Sequence, residues 1–273
     1  MRILVTNDDG VHAPGLAPLA QALAATGHEV VVVAPAADSS GAGAGVGPVH
    51  RRGGVTYERV DLGLDADVFA IDGLPAMAVI AVCLGGFGGR PDIVVAGINL
   101  GLNAGFSVLH SGTVGAALTA THFGLRSMAV STEHSGDVAA VHWSSAAAIA
   151  AGAVGHLAKA PAGTVLNVNV PNRPPNEIRG IRRAVLATSG TIRSAVDHDD
   201  GYIELVLGRS REGAATEEEP AADAAQPPRD TDVAAVAAGF AALTPLRAVG
   251  VDGRAEVSDV VSAIIEGKTP CEA

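Results

Sequence analysis

Short apolar runs alternate with segments of helical spacing at the start of the chain, and this alternation constrains the fold more than any other feature. Arg2–Thr6 (RILVT) has the pattern of a buried strand, which the polar sequence NDDG ends, and Glu29–Ala34 (EVVVVA) is a second such run. Between them, leucine and alanine recur at helical spacing from Leu16 to Leu23, and Gly27 ends the segment. Strand, helix and strand in this order predict a βαβ unit with a parallel pair and a right-handed crossover.

The same alternation continues to Val170. The runs that predict further strands are Val68–Ile71, Ile93–Ala96, Ser127–Ser131 and Thr164–Val170, and those that predict helices are Pro75–Leu84, Val114–His122 and Trp143–Lys159. Strands that alternate with helices predict an α/β fold with a doubly wound, mostly parallel sheet. Apolar residues make up 48% of the 273 positions and aromatic residues only 3%, so we expect small aliphatic side chains to fill the core.

The pattern changes after Pro171. Gly201–Leu207 (GYIELVL) predicts a hairpin strand, Glu217–Arg229 is acidic and rich in alanine and proline, and Thr231–Phe240 predicts a helix. We therefore divide the chain into a catalytic core over residues 1–171 and a C-terminal extension over residues 172–273. The extension is expected to complete the same domain.

The charge and cysteine content exclude several classes of protein. A net charge of −11 with no basic face argues against a protein that binds a nucleic-acid duplex. The same charge repels phosphorylated substrates, so an anionic substrate would need a local cation such as a bound metal ion. Two cysteines, Cys83 and Cys271, give no disulfide framework, and we see neither a secretory signal nor a continuous apolar span. These features predict a soluble, cytoplasmic protein with no membrane partner.

Polar segments follow several of the predicted strands. Asp8 and Asp9 come directly after the first strand, where two crowded carboxylates repel each other unless a cation lies between them. Carboxylate oxygens suit Mg²⁺, Mn²⁺ or Ca²⁺. Taken alone, this acidic pair is equally compatible with a polar turn that caps the next helix.

Three further segments carry oxygen or backbone donors. Asp38–Gly41 offers hydroxyl groups after the second strand, and Gly97–Gly105 offers asparagine oxygens and glycines after the strand Ile93–Ala96. Ser111–Thr113 opens a predicted helix, where backbone N–H groups and hydroxyls can bind phosphate. Each segment alone also fits an ordinary loop, turn or helix cap. Because all of them lie near strand ends, we expect them to meet at one edge of the sheet, as a site for hydrolysing phosphate esters.

The order of these motifs resembles the SurE family of survival-protein nucleotidases. The resemblance rests on MRILVTNDDG, GINLGLNAG and HSGTVGAA, and it continues through SMAVS, LNVNVP and TDVAAVAAGF to LTPL, so it covers nearly the whole chain. It implies a Rossmann-like core, a C-terminal segment exchanged between subunits, and 5′/3′-nucleotidase activity. Some members of the family also act on polyphosphate.

The resemblance also implies the site residues. One divalent cation per subunit, Mg²⁺ or Mn²⁺, would be held by the family's ligand set, which matches Asp8, Asp9, Ser40 and Asn99. Ser40 is preferred to Ser39 because it lies five positions after Pro35, as the family serine does. The two aspartates would be the catalytic residues, the phosphate contacts match Asn103, Ser111, Gly112 and Thr113, and the assembly would be a homodimer or homotetramer.

Three segments depart from the family pattern. AGAGVGP follows Ser40 where serine and histidine are usual, Leu74 and Met77 replace a threonine and an aspartate, and Ala184-Val185-Leu186 stands where a Thr-Arg pair is common. These departures lie in the substrate-recognition loops, whereas the metal and phosphate motifs match the family pattern.

The residues leave several alternatives open. Either Asp8 or Asp9 would accept the proton of an attacking water, or Asp8 itself would be a nucleophile that forms an aspartyl phosphate. His12 and His110 flank the motifs and are candidate proton donors. The substrate would be a nucleoside monophosphate, another small phosphate ester or polyphosphate. A non-catalytic metal or nucleotide binder is a rival interpretation, and so is a signalling receiver, although Ser131-Thr132-Glu133 lacks the lysine that a receiver needs.

Overall fold

The apolar runs form the centre of a single sheet in the computed structural model, which describes residues 1–48, 53–134, 136–188, 193–199, 202–208, 230–247 and 249. The strands of this sheet are β1 (Arg2–Thr6), β2 (Glu29–Pro35), β3 (Tyr57–Arg59), β4 (Asp67–Ile71), β5 (Ile93–Leu100), β6 (Arg126–Thr132), β7 (Val165–Val170), β8 (Ile181–Arg183) and β11 (Ala241–Leu246). A separate hairpin pairs β9 (Arg193–Asp199) with β10 (Tyr202–Gly208). The helices are α1 (Leu16–Ala25), α2 (Pro75–Cys83), α3 (Gly112–His122), α4 (Trp143–Leu157) and α5 (Asp232–Ala237).

The strand order is β3-β4-β2-β1-β5-β6-β7-β11-β8. The central strands from β4 to β7 are parallel, whereas β3 and β11 run antiparallel to β4 and β7. Because the chain starts in the middle of the sheet and builds outward in both directions, the expectation of a doubly wound, mostly parallel α/β fold is confirmed. The order also places the carboxyl ends of β1, β2, β4, β5 and β6 along one edge.

Helices cover both faces of the sheet. Ile3 and Val5 of β1 pack with α1 and α4 on one face, and Leu4 packs with α2 and α3 on the other. This alternation is the two-residue period of a strand that is buried on both sides. Cys83, at the end of α2, is buried, as expected for a small apolar residue. None of the helices in the described part of the chain has the length and apolar character needed to cross a bilayer.

Strand β5 is longer than its apolar run predicts. The expected strand ends at Ala96 because Gly97 suggests a turn, but pairing with β6 resumes at Asn99 after a shift in register. Gly97 has φ +139°, and a Cβ atom there would lie 2.3 Å from the carbonyl oxygen of Val130. Glycine therefore lets β5 pass close to β6, and Asn99 belongs to the strand rather than to the loop after it.

The region after Pro171 adds two strands to the main sheet. β11 lies between β7 and β8, and the apolar pattern did not predict it because Thr244 and Pro245 interrupt it. The helix expected over Thr231–Phe240 is shorter, since α5 ends at Ala237 and Gly239 turns the chain with φ +84°. The strand predicted over Gly201–Leu207 is β10, shifted by one residue. The acidic segment Glu217–Arg229 lies outside the described residues.

Candidate metal and phosphate site

A hydrogen bond between two of its own residues stabilises the acidic turn after β1. Asn7 is buried, and its Nδ2 donates a hydrogen bond to the carbonyl oxygen of Gly10 at 2.8 Å. Gly10 has φ +98°, a conformation that suits glycine. This turn presents Asp8, which is only 3% exposed, and the partly buried Asp9 at the carboxyl edge of the sheet.

Helix α3 begins against Asp8. Ser111 is its N-cap, and its hydroxyl accepts a hydrogen bond from the backbone N–H of Val114 at 3.1 Å. The hydroxyl of Thr113 donates to Asp8 Oδ1, and a Cβ atom at Gly112 would lie 2.7 Å from Asp8 Oδ2. The helix therefore meets the carboxylate at a distance that only glycine permits, with its positive end toward the acid.

Both carboxyl groups have raised pKa values. Burial raises the pKa of Asp8, and the hydroxyl and backbone N–H groups at the start of α3 only partly oppose that effect. Burial also raises the pKa of Asp9 to about 7, with further contributions from the negative charges of Asp8 and Asp38. Three acidic groups thus share one edge of the sheet, which is the electrostatic setting that a cation relieves.

Asn99 reaches the same place from β5. Its Nδ2 donates to the carbonyl oxygen of Gly101 at 2.6 Å, so the amide is oriented, and its Oδ1 lies 3.5 Å from the Thr113 hydroxyl. Asp9 accepts a hydrogen bond from the backbone of the next residue, Leu100. The end of β5 therefore contacts the acidic turn and the start of α3.

The two serines after β2 differ in their contacts. The backbone N–H and hydroxyl of Ser39 both donate to the carbonyl oxygen of Asp8, at 2.8 and 3.1 Å. Ser40 is exposed, and its hydroxyl donates to Asp38 Oδ1 at 2.7 Å, which lowers the pKa of that carboxyl. The segment that carries Ser40 is thus anchored to the acidic turn, with Ser39 as the residue in direct contact.

Asn103 is held in a buried network of amides. Its Nδ2 donates to Ser131 Oγ at 2.9 Å, and its carbonyl oxygen accepts from the side chains of Asn167 and Asn169 at 2.7 and 2.9 Å. The Asn169 side chain also accepts from the Asn103 backbone N–H at 2.9 Å. These contacts fix the loop between β5 and α3, and Asn103 remains a predicted phosphate contact.

The sequence predicts Ser39 only as the alternative to Ser40 in the ligand set, and it does not predict Ser131, Asn167 and Asn169 as supporting residues. The one available signal was LNVNVP, in which asparagine alternates with valine in an otherwise apolar strand. A buried asparagine needs partners, so polar residues at such positions indicate a network near a site. His12 and His110, the candidate proton donors, are exposed.

The donor set is chemically suited to a hard divalent cation. In the described part of the chain, no three His, Cys, Asp or Glu side chains are grouped to hold a metal ion. The ligands would instead be two carboxylates with neutral amide and hydroxyl oxygens, a combination that Mg²⁺ and Mn²⁺ accept. The start of α3 beside them offers donors to an anion.

The chain matches the model of a known protein family. A family model described as survival protein SurE matches residues 3–194. The chain belongs to the SurE family. The match includes every residue predicted for the site, and the resemblance drawn from the motifs is confirmed.

Individual SurE proteins are similar over most of their length. Proteins named 5′-nucleotidase SurE from Brucella abortus (strain S19) and Brucella canis are each 35% identical over 257 residues, which is 90% of this chain and 92% of theirs. The crystal structure of the SurE protein from Aquifex aeolicus superposes with a TM-score of 0.74 at 27% identity, and it covers 97% of this chain and 100% of its own. The chain is therefore a member of a hydrolase family.

Proposed function

We propose that this SurE-family chain is a metal-dependent phosphatase that hydrolyses nucleoside 5′- and 3′-monophosphates. The relatives' name, 5′-nucleotidase, supports the reaction class. The observation that carries the proposal is the position of Asp8, buried against the first turn of α3 with Thr113 and Asn99 beside it. Burial raises the pKa of Asp8, and a divalent cation that binds both this carboxylate and a phosphate would compensate the two negative charges.

Asp8, Asp9, Asn99 and Ser40 would hold one divalent cation per subunit, Mg²⁺ or Mn²⁺. When bound, such a cation neutralises phosphoryl charge and lowers the pKa of a coordinated water. Ser39 would position the turn through Asp8. Ser40 would release its hydrogen bond to the exposed Asp38 in order to act as a ligand, a small change in a surface loop.

The phosphoryl group would lie at the start of α3. The backbone N–H groups of Gly112 and Thr113 donate to Asp8 in the chain without metal, and they and the hydroxyl of Ser111 would donate to the phosphoryl oxygens once the cation holds Asp8. These bonds would strengthen as charge moves onto the oxygens in the transition state. Asn103 would donate from the facing loop, held in place by its buried network. The group would thus be oriented from two sides.

We assign proton transfer to Asp9 and the attack to water. Asp8 is the more enclosed of the two carboxylates, since it is 3% exposed and its Oδ1 accepts a hydrogen bond from Thr113. Asp9 is more open, so it is the carboxylate that a water can reach to transfer its proton. Acid quenching during turnover of ³²P-labelled substrate should trap no phospho-enzyme, and a label that is lost in Asp8→Asn would instead establish the covalent route.

We also infer a cytoplasmic protein that acts on small phosphate esters as a homodimer or homotetramer. The net charge of −11 speaks against a duplex nucleic acid as partner. An apolar groove lined by Ile149, Leu166, Ile181 and Leu243, together with the family resemblance, supports an assembly.

A phosphatase screen tests the proposal. Nucleoside 5′- and 3′-monophosphates, sugar phosphates and polyphosphate would each be offered with Mn²⁺, with Mg²⁺ and after chelation. We expect phosphate release from the monophosphates only when metal is present. No release from any ester would overturn the proposed reaction, and release mainly from polyphosphate or sugar phosphates would move the substrate to another class.

A further inference from the structure

Asp232, the first residue of α5, is a fully buried acid that the proposed mechanism does not use. Its side chain accepts three hydrogen bonds from backbone N–H groups. Oδ1 accepts from Ala187 at 3.0 Å and from Val233 at 2.9 Å, and Oδ2 accepts from Gly105 at 2.8 Å. Burial costs a carboxylate its solvation, and these donors compensate part of that cost. The carboxylate therefore joins three backbone segments in one place.

The bond to Gly105 reaches the loop between β5 and α3. Gly105 is buried, lies 127 positions from Asp232 in the sequence and begins a 3₁₀ turn that ends at Leu109. Asn103, a predicted phosphate contact, is two residues before it, and Ser111, the N-cap of α3, is six residues after it. The loop therefore carries predicted phosphate-binding groups on both sides of the residue that Asp232 holds.

The extension contacts this loop a second time through Leu102. This side chain is partly buried and packs against a small apolar cluster formed by Ala184, Ala235, Val236 and Ala242. From the other side, Asn167 and Asn169 of β7 donate to the carbonyl oxygen of Asn103. The loop is thus fixed between β7 and the extension.

We propose that Asp232 is a positioning residue for phosphate binding, which holds Gly105 and thereby sets the position of the loop that carries Asn103. This inference rests on the proposed function and gives the extension a role in the site besides assembly. Asp8 and Asn99, by contrast, lie at the ends of β1 and β5, which pair in the sheet. The loss of Asp232 should therefore weaken phosphate binding more than metal binding.

Asp232→Asn tests this role with the smallest change of shape. An asparagine keeps one acceptor oxygen and turns an NH₂ group toward a backbone donor, so the bonds at one of the two positions must break. Val154→Ala is the matched control for lost stability, because Val154 is 1% exposed in the core between the sheet and α1. Urea unfolding of both variants measures the two losses of stability.

Three measurements then separate positioning from stability. Calorimetry would give the Kd of inorganic phosphate at saturating Mg²⁺ and the Kd of Mn²⁺, kinetics would give KM and kcat for AMP, and hydrogen-exchange mass spectrometry would follow residues 102–109 in the metal-free protein. In Asp232→Asn we expect the phosphate Kd and KM to rise about tenfold, with kcat and the Mn²⁺ Kd changed by less than about threefold. Exchange at 102–109 should become faster. Val154→Ala should alter none of these quantities.

Unchanged phosphate affinity in a folded Asp232→Asn protein, or an equal loss in Val154→Ala, would overturn the inference, and so would a wild type that binds no phosphate. If Asp232→Asn does not fold, Leu102→Ala weakens the same attachment without a buried charge, and it should raise the phosphate Kd about threefold. An unchanged Kd there would also overturn the inference.

Phosphate binding does not depend on turnover. A protein that hydrolyses no ester but loses phosphate affinity in Asp232→Asn would refute the proposed reaction and support the role of Asp232. Conversely, an active enzyme whose KM is the same in wild type and Asp232→Asn would support the reaction and remove the positioning role.

Discussion

At the scale of single residues, the proposed site depends on Asp8. Its carboxylate is 3% exposed, accepts a hydrogen bond from Thr113 and faces the start of α3. Burial costs a carboxylate solvation, and its raised pKa reflects that cost. A residue kept in so unfavourable a place is more readily explained by ligand binding than by stability.

Asp8→Asn should abolish activity and spare the fold. The amide keeps the shape and can still accept the Thr113 hydrogen bond, but it is a weaker ligand and carries no charge. We expect a loss in kcat on the order of 100-fold or more at saturating metal. The melting temperature of the metal-free protein should be equal to or above that of wild type, because the buried negative charge is gone.

Asn99→Ala tests the neutral ligand in the same way. The side chain lies at the end of β5 and is only partly buried, so its loss opens no core cavity. We expect weaker Mn²⁺ affinity by calorimetry and a lower kcat, with an unchanged circular dichroism spectrum. Wild-type metal affinity in this variant would remove Asn99 from the ligand set.

Asp9 predicts how the stability of the metal-free protein depends on pH. Its pKa is about 7 in the folded chain against an ordinary value of 3.8, so the folded state holds more protons between these values. Stability should therefore be highest near pH 4 with respect to this group and should fall as the pH rises to about 7. Urea unfolding of wild type and Asp9→Asn should show a difference that changes across this window, whereas a constant difference would contradict the raised pKa.

At the scale of elements, the junction between α3 and the acidic turn is the critical contact. A methyl group at position 112 has no room beside Asp8, whereas Gly155 on α4 has no atom within 4 Å of an added Cβ. The same substitution should therefore have opposite effects at the two helices.

Gly112→Ala should lower activity and stability, because either Asp8 or the helix start must move. Gly155→Ala should raise the free energy of unfolding by about 0.5–1 kcal/mol, the helix propensity difference, with unchanged activity. Urea unfolding and phosphatase assays on both variants provide the check. Normal turnover in Gly112→Ala would show that the close contact is not required.

The sequence predicts those elements whose packing leaves an apolar pattern. β1, β2, β6 and β7 are buried on both faces and were found within a residue or two. β3 and β8 have only exposed residues, so they carry no such pattern, and β11 is interrupted by Thr244 and Pro245. Their positions depend on pairing with distant strands, which local patterns do not encode.

In the candidate site, too, local patterns predict some residues, whereas others depend on contacts between distant parts of the chain. The residues brought together at Asp8 were predicted because each lies beside a strand end or a helix start, and such ends share an edge of a parallel sheet. The choice between Ser39 and Ser40 was made by spacing, and only three-dimensional contacts reveal that Ser39 holds the turn. The buried amide network around Asn103 is tertiary and was visible only as alternating polar residues in β7.

At the scale of the whole molecule, the extension after Pro171 predicts an oligomer. β8 and β11 complete the sheet, and an apolar groove lined by Ile149, Leu166, Ile181 and Leu243 lies along this side. The family resemblance implies exchange of a C-terminal segment. We expect light scattering at micromolar concentration to give a dimer or tetramer, and a monomer would remove the exchange hypothesis without affecting the site, since every proposed ligand precedes Pro171.

We propose that Asp8 and its neighbours hold a divalent cation that phosphate-ester hydrolysis requires. The most direct measurement is phosphate release from AMP by wild type and Asp8→Asn, each stripped with EDTA and then titrated with Mn²⁺. We expect no release by the stripped wild type, full recovery as Mn²⁺ is added, and no recovery by Asp8→Asn at saturating metal. Turnover by the stripped wild type, or near wild-type turnover by Asp8→Asn, would contradict it.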